Sequence, residues 1–103
     1  MMRPIHLARL EKVRPVVVLT RESVRAYRAR ITIAPITSTI RGRATELTVG
    51  VDNGIDHPSV VDFDNITTIA SADLGSQIGF LFDHQEAALV QALHAAFDLD
   101  DLS

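Results

Sequence analysis

Residues 15–20 read Pro-Val-Val-Val-Leu-Thr, and Arg30–Ile36 reads Arg-Ile-Thr-Ile-Ala-Pro-Ile. The first is a valine run too short for a helix, and its proline, which has no N–H to donate, fits the opening residue of a buried strand. The second alternates, with Ile31 and Ile33 on one face and Thr32 and Ala34 on the other, the two-residue period of a strand. Upstream, Pro4–Leu10 is a further strand, and only Glu11–Arg14 separates it from the valine run. A connection that short predicts an antiparallel pair. Arg21–Arg28 (RESVRAYR) is polar, with Val24 and Tyr27 three apart, and suits a short helix or a solvated loop.

Further along, Thr37–Thr45 (TSTIRGRAT) has the hydroxyls, glycine and arginines of an exposed loop. Thr45–Val51, Ser59–Asn65 and Ile66–Ala70 read as strands, and Asn53-Gly54 supplies the positive φ angles of a tight turn. Asp83 is placed to cap a helix whose third position is Glu86. In that helix Leu89, Leu93 and Phe97, with Val90, form an apolar stripe for packing on the sheet or on a second subunit. Many short strands and one closing helix describe a mainly β protein, a small barrel or strongly bent sheet. No repeat or linker divides residues 1–103, which read as one domain.

The chain has 103 residues and a net charge of −3, but the charges are segregated. Up to Arg43 there are ten basic residues and two acids, a segment of +8; from Ala44 onward there are eleven acids and no Lys or Arg, a segment of −11. Such a split points to a nucleic-acid surface, to acid–base contacts between the halves, or to both. The acidic end, Asp98, Asp100 and Asp101, is expected to point away from any polyanion. With no cysteine, disulfides, thiolate zinc sites and a cysteine nucleophile are excluded. No apolar run approaches the roughly 18 residues of a membrane span. The N-terminus lacks the apolar core of a secretory signal, so a cytoplasmic protein is expected.

Familiar catalytic motifs are missing. There is no glycine-rich phosphate loop and no serine elbow. His84 and His94 lie too far apart to put two ligands on one helix face, so no metal or other cofactor is expected. What remains is Arg14, at the mouth of the buried strand, and the hydroxyl run Thr37, Ser38, Thr39 just after another strand. A guanidinium fork grips two phosphate oxygens at once, and hydroxyls add bonds to the same group. If the two strands are neighbours their ends converge on one phosphate; otherwise Arg14 is a solvated arginine beside an ordinary polar loop.

The blocks VRPVVVLT (Val13–Thr20), ITIAPITSTI (Ile31–Ile40), SVVDFDNITTI (Ser59–Ile69) and DLGSQIG (Asp73–Gly79), in that order and spacing, resemble the MazF/PemK family, the toxins of bacterial toxin–antitoxin modules. The resemblance spans nearly the whole chain. It implies an SH3-like barrel with a C-terminal helix, a homodimer and a cognate antitoxin partner. It also implies metal-independent cleavage of single-stranded RNA, by attack of the 2′-hydroxyl on the adjacent phosphate to leave a cyclic phosphate and a 5′-hydroxyl. By the same resemblance Arg14 and Thr37 are the catalytic residues. Arg14 would offset the growing negative charge, a natural role for a group too basic to act as a general base; Thr37 would hold a phosphate oxygen. Arg41 and Arg43, in the loop after Thr37, are candidate contacts to the RNA backbone, joined in the candidate RNA-binding set by Lys12, Ser38, Asp64 and Asn65.

The chain also departs from the family pattern. His6 stands where a tryptophan is usual, and the loop before the Arg-Pro block shrinks to Glu11-Lys12-Val13, where Glu11 is too poor a positional match to be given the role of the family's loop acid. Asn65 is a shortened amide, Thr67 replaces a base, and Asp62 is an acid where one branch uses an arginine. Base preference is therefore expected to differ. Two alternatives follow: a CcdB-type protein, which shares the barrel but poisons DNA gyrase through C-terminal residues, and a barrel that has kept the fold and lost activity.

Overall fold

The short connection at residues 10–12 closes β1 (Arg3–Arg9) onto β2 (Val13–Val18), antiparallel, with Ile5 opposite Val17 and Ala8 opposite Arg14. The computed structural model describes residues 2–99. Beyond β2 come α1 (Glu22–Arg25), β3 (Arg30–Thr37), β4 (Glu46–Val49), β5 (Ser59–Asp62), β6 (Thr67–Ala70), β7 (Leu74–Leu81) and α2 (Glu86–Phe97). The strands form one sheet in the order β4-β5-β3-β2-β1-β7, with β6 also on β3.

Strand β3 is the hub. One edge pairs with β2, Val16 to Pro35 and Val18 to Ile33; the other is shared, its first half by β6 and its last residues by β5. A strand whose two halves face different neighbours bends the sheet, which curls into a half-barrel.

The alternation read from β2 and β3 sorts their residues into two cores. Val17, Ala34 and Ile36 join Ile5, Val61, Phe63 and Leu81 on the inner face, where Leu89 and Ala92 of α2 cover them. Val16, Val18, Ile31 and Ile33 join Ala8 on the outer face, under Leu10, Ile69 and Leu74. No helix among the described residues is long and apolar enough to cross a membrane.

Several expectations need correction. The expected strand Ser59–Asn65 ends at Asp62, because the Asp62 carboxylate accepts the Asp64 N–H at 3.0 Å and turns Phe63–Asn65 into a 3-10 segment; β6 then starts at Thr67 rather than Ile66. The expected strand Thr45–Val51 is reduced to Glu46–Val49. Of the Asn53-Gly54 pair only Gly54 has positive φ, at 86°. Asn53 lies in a 3-10 turn, Val51–Asn53, and its side chain is what matters. Asp83 is not the helix cap: it begins a 3-10 turn, Asp83–Gln85, and Gln85 precedes α2. Of the apolar stripe, Leu89 is buried and Leu93 packs on the core, but Val90 and Phe97 are exposed at 40% and 58%. Asp98 closes α2 in the left-handed conformation, at φ 51°; Asp100 and Asp101 of the acidic end lie outside the described residues. β7 escaped the pattern reading because Gly75, Ser76, Gln77 and Gly79 interrupt its apolar period.

Buried Asn53 fastens the turn to β7 and α2. Its Nδ2 donates to the Phe80 carbonyl (2.9 Å) and to Gln85 Oε1 (2.8 Å), and its Oδ1 accepts the Gly50 N–H (3.2 Å). Gln85 Oε1 in turn accepts the Phe82 N–H at 2.9 Å. The approach is so close that a Cβ on Gly79 would sit on the Asn53 carbonyl, and one on Gly54 on that of Ile78. Asn53→Ala strands several buried partners and Gly79→Ala forces two backbones apart. Each should cost about 2–3 kcal/mol in urea unfolding, whereas Gly50→Ala, with open space around it, should cost less than about 1 kcal/mol.

Candidate functional site

Continuing the β2–β3 register two residues past Val16 and Pro35 brings Arg14 opposite Thr37. The two side chains stand between two grooves and line both: one of about 820 Å³ with Arg9, Arg41, Arg43, Asp62 and Asn65, and one of about 430 Å³ with Lys12, Ser38, Asp56 and His57. The valine run that buries β2 thus holds Arg14 at the sheet end, half-buried, with Nε 3.4 Å from Glu11 Oε1. Thr37 Oγ1 accepts the Thr39 N–H at 3.1 Å, which leaves its own proton to donate into the grooves.

The loop after Thr37 is shaped by an acid. The Glu46 carboxylate accepts three successive backbone N–H groups, from Arg41 (3.2 Å), Gly42 (3.0 Å) and Arg43 (3.3 Å). Gly42 has φ of 72°, the left-handed step that lets consecutive amides form an anion-binding nest. The folded loop puts Arg41 and Arg43 on the larger groove. At its floor Asn65 Nδ2 donates to Asp62 Oδ2 at 2.6 Å. Four arginines therefore share this groove with three carboxylates, Glu11, Glu46 and Asp62, and each carboxylate has a partner within the protein. Arg14 is itself the partner of Glu11, and Arg43 pairs with Asp64 outside the groove at 3.8 Å, while Arg9 and Arg41 have no ion pair among the described residues. Beside them stand the hydroxyls of Thr37, Thr39 and Thr67.

The residues proposed from sequence are largely brought together. Arg14 and Thr37 border both grooves, Arg41, Arg43 and Asn65 the larger, Lys12 and Ser38 the smaller. Asp64 borders neither: its Oδ2 accepts from Thr45 Oγ1 at 2.7 Å and lies 3.8 Å from Arg43 Nη1, so it steadies the loop. Sequence reasoning missed Arg9, Glu46 and His57, while Thr39, part of the hydroxyl run read from the sequence, lines the larger groove. Arg9 was within reach of it, since the tight turn between the first two strands sets Arg9 and Arg14 at the same sheet end. Glu46 gave no signal, because its partners are backbone amides of a loop that folds back on it. His6, in the usual tryptophan position, binds the Gly75 carbonyl through Nδ1 at 2.8 Å. Among the described residues no group of three His, Asp or Glu is placed to hold a metal ion.

An arginine fork and a free hydroxyl proton across one strand ladder, flanked by further arginines, have the chemistry to grip a phosphate, with a groove on either side. Residues 5–97 match the family described as PemK-like, MazF-like toxins of type II toxin–antitoxin systems. The chain is 57% identical over 99 residues to "Endoribonuclease MazF3" of Mycobacterium tuberculosis, covering 96% of both sequences. The solved structure of the Mycobacterium tuberculosis toxin MazF-mt6 superposes with a TM-score of 0.94 at 56% identity, over 95% of this chain and 99% of that one. A mycobacterial endoribonuclease solved with its cognate antitoxin has the same fold, with a TM-score of 0.82 at 20% identity over 94% of this chain and 93% of that one.

Replacing Glu46 by alanine removes the acceptor that holds the loop. Amide hydrogen exchange at Arg41, Gly42 and Arg43 should then speed up by at least about tenfold, the equivalent of about 1.4 kcal/mol of lost protection. Amides in β2 and β3 should keep their rates.

Proposed function

The chain belongs to the family of PemK-like, MazF-like toxins of type II toxin–antitoxin systems, and from that premise we propose that it is an endoribonuclease whose scissile phosphate lies between Arg14 and Thr37. The observation that carries the reading is the position of these two residues, shared by both grooves. A single-stranded RNA can enter by one groove and leave by the other with one phosphate at the divide. The name of the Mycobacterium tuberculosis relative supports the activity.

In the proposed reaction the 2′-oxygen attacks the adjacent phosphorus, the bond from phosphorus to the 5′-oxygen breaks, and the products are a 2′,3′-cyclic phosphate and a 5′-hydroxyl. Negative charge builds on the non-bridging oxygens as the pentacovalent state forms. The Arg14 fork offsets it and the Thr37 hydroxyl donates to it, a fixed arrangement that needs no metal ion. Glu11, 3.4 Å from Arg14, fixes the direction of the guanidinium. Lys12, Ser38, Arg41, Arg43 and Asn65 would hold the flanking nucleotides, and Asp64 would act only through the loop. The protein works in the cytoplasm as a homodimer, a cognate antitoxin silences it, and free toxin arrests growth by cutting RNA.

Arg14→Ala should lower kcat on single-stranded RNA by about 10²–10³-fold, in the range found when one oxyanion donor is removed. Arg14→Lys, which keeps the charge and loses the fork, should fall between the two. Thr37→Val should also slow cleavage, and a chelator should leave the wild-type rate unchanged. Product ends are read by susceptibility to a 5′-kinase without prior phosphatase treatment. Full activity in a folded Arg14→Ala protein, shown by circular dichroism, would remove Arg14 from the mechanism.

A further inference from the structure

Five of the ten basic residues take no part in the site above: Arg3, which pairs with Glu86, and a cluster of four. Arg21, Arg25, Arg28 and Arg30 lie within residues 19–32, where Glu22 is the only acid. Arg25 is structural: its Nε donates to the Thr20 carbonyl at 2.8 Å and ties α1 to the segment that follows β2. The other three are exposed, carry no ion pair among the described residues, and surround a depression of about 650 Å³ with Thr32 and Thr68. The hydroxyls of Thr32 and Thr68 lie 2.9 Å apart, and Arg30 Nη2 donates to the Thr68 carbonyl at 3.3 Å. Tyr27, which precedes Arg28 in the chain, is 86% exposed.

This patch is separate from the Arg14 site but continuous with it. Arg30 and Thr37 are at opposite ends of β3, about 23 Å apart at the usual rise of a strand. Thr32 and Thr68 occupy the face of the β3–β6 ribbon opposite that of Ile31, Ile33 and Ile69. β6, however, is an edge strand, and its successive residues Thr67 and Thr68 put one hydroxyl on the Arg14 groove and the next on the arginine patch. A chain passing over this edge meets hydroxyls and arginine forks on both sides.

We propose that the Arg21–Arg28–Arg30 patch binds the sugar–phosphate backbone of a second stretch of the same RNA, so that the substrate is a long or folded RNA rather than a short single strand. The inference rests on the reading of the chain as an RNA-cutting toxin. Three guanidinium groups without a carboxylate partner among the described residues match phosphate oxygens, the threonine hydroxyls match phosphate or 2′-oxygens, and an exposed tyrosine offers a base a stacking face. The patch reads no sequence; it adds affinity and selects substrates by length and shape.

The test is equilibrium binding to 2′-O-methyl RNA, which keeps the phosphates but lacks the attacking hydroxyl, so that cleavage does not enter the readout. Two probes are used: a strand of about six nucleotides, enough for the Arg14 groove alone, and a folded RNA several times longer. Wild-type protein is compared with R21Q/R28Q and R21K/R28K, all checked for fold and subunit mass. With the long RNA, R21Q/R28Q should flatten the plot of log affinity against log salt by about 1.4 for two lost contacts, and R21K/R28K should restore most of the slope. With the short RNA all three proteins should behave alike. An unchanged slope on the long RNA overturns the proposal. Equal losses on both probes overturn it as well, since the patch would then not be remote. So does weakened binding of a polyglutamate peptide with RNA binding intact, which would make this a docking surface for acidic protein segments. Cleavage of unmodified RNA, measured separately, decides whether the nuclease reading holds.

Discussion

Both faces of β2 are buried, and the rest of the molecule depends on that constraint. Val17 belongs to the inner core and Val16 and Val18 to the outer, so no face of the strand is free to be exchanged with solvent. A slip of one residue against β3 would carry each valine into the wrong core and leave two sets of cavities, at several kcal/mol. The register that this locks, Val16 to Pro35 and Val18 to Ile33, is what sets Arg14 against Thr37. Packing thus fixes the geometry of the proposed catalytic pair: the two groups stand on strands next to the core, where a prepositioned charge would need little reorganisation when a phosphate changes shape.

Electrostatics divides the surface in a way that the near-zero net charge conceals. The acidic half does meet the basic half, through Arg3 and Glu86, whose Nη2 and Oε1 are 2.7 Å apart, and through Arg43 and Asp64. These contacts occupy only part of the positive charge. Arg9, Arg14, Arg41 and Arg43 gather on the larger groove, where hydrogen bonds engage Glu46 and Asp62 and Glu11 pairs with Arg14, and Arg21, Arg28 and Arg30 gather around the β6 edge. The carboxylates in the groove shape it. Glu46 occupies a nest of three amides and so decides where two arginines stand, and Asp62 both turns the chain after β5 and holds Asn65.

What could be read in advance follows from how local each cause is. Apolar period marked β1, β2, β3 and β6 because in each the alternation or β-branched content is carried by adjacent residues. It failed for β7, where Gly79 is required by the close approach to Asn53 and Gly54, a constraint set by residues far away in sequence. It overran in Ser59–Asn65, since the side chain of Asp62 outcompetes the ladder for the Asp64 amide. Arg14 and Thr37 were legible as candidates because each stands by a strand-forming run and the family resemblance named them; that their strands are neighbours came from the structure. Asp64, proposed from the same resemblance, faces the loop rather than either groove. Glu46 was invisible, its role lying in backbone amides that carry no sequence signature.

The central claim is that Arg14 and Thr37 act together on one phosphate. A double-mutant cycle tests it most directly, with kcat/KM on a single-stranded RNA measured for wild type, Arg14→Ala, Thr37→Val and the double variant. The account predicts that the double variant is little worse than Arg14→Ala alone, a coupling of at least about 1 kcal/mol, because the threonine hydroxyl has little to hold once the guanidinium no longer positions the phosphate. Effects that multiply independently, with no coupling beyond about 0.3 kcal/mol, would mean that the two residues serve separate phosphates and would contradict it.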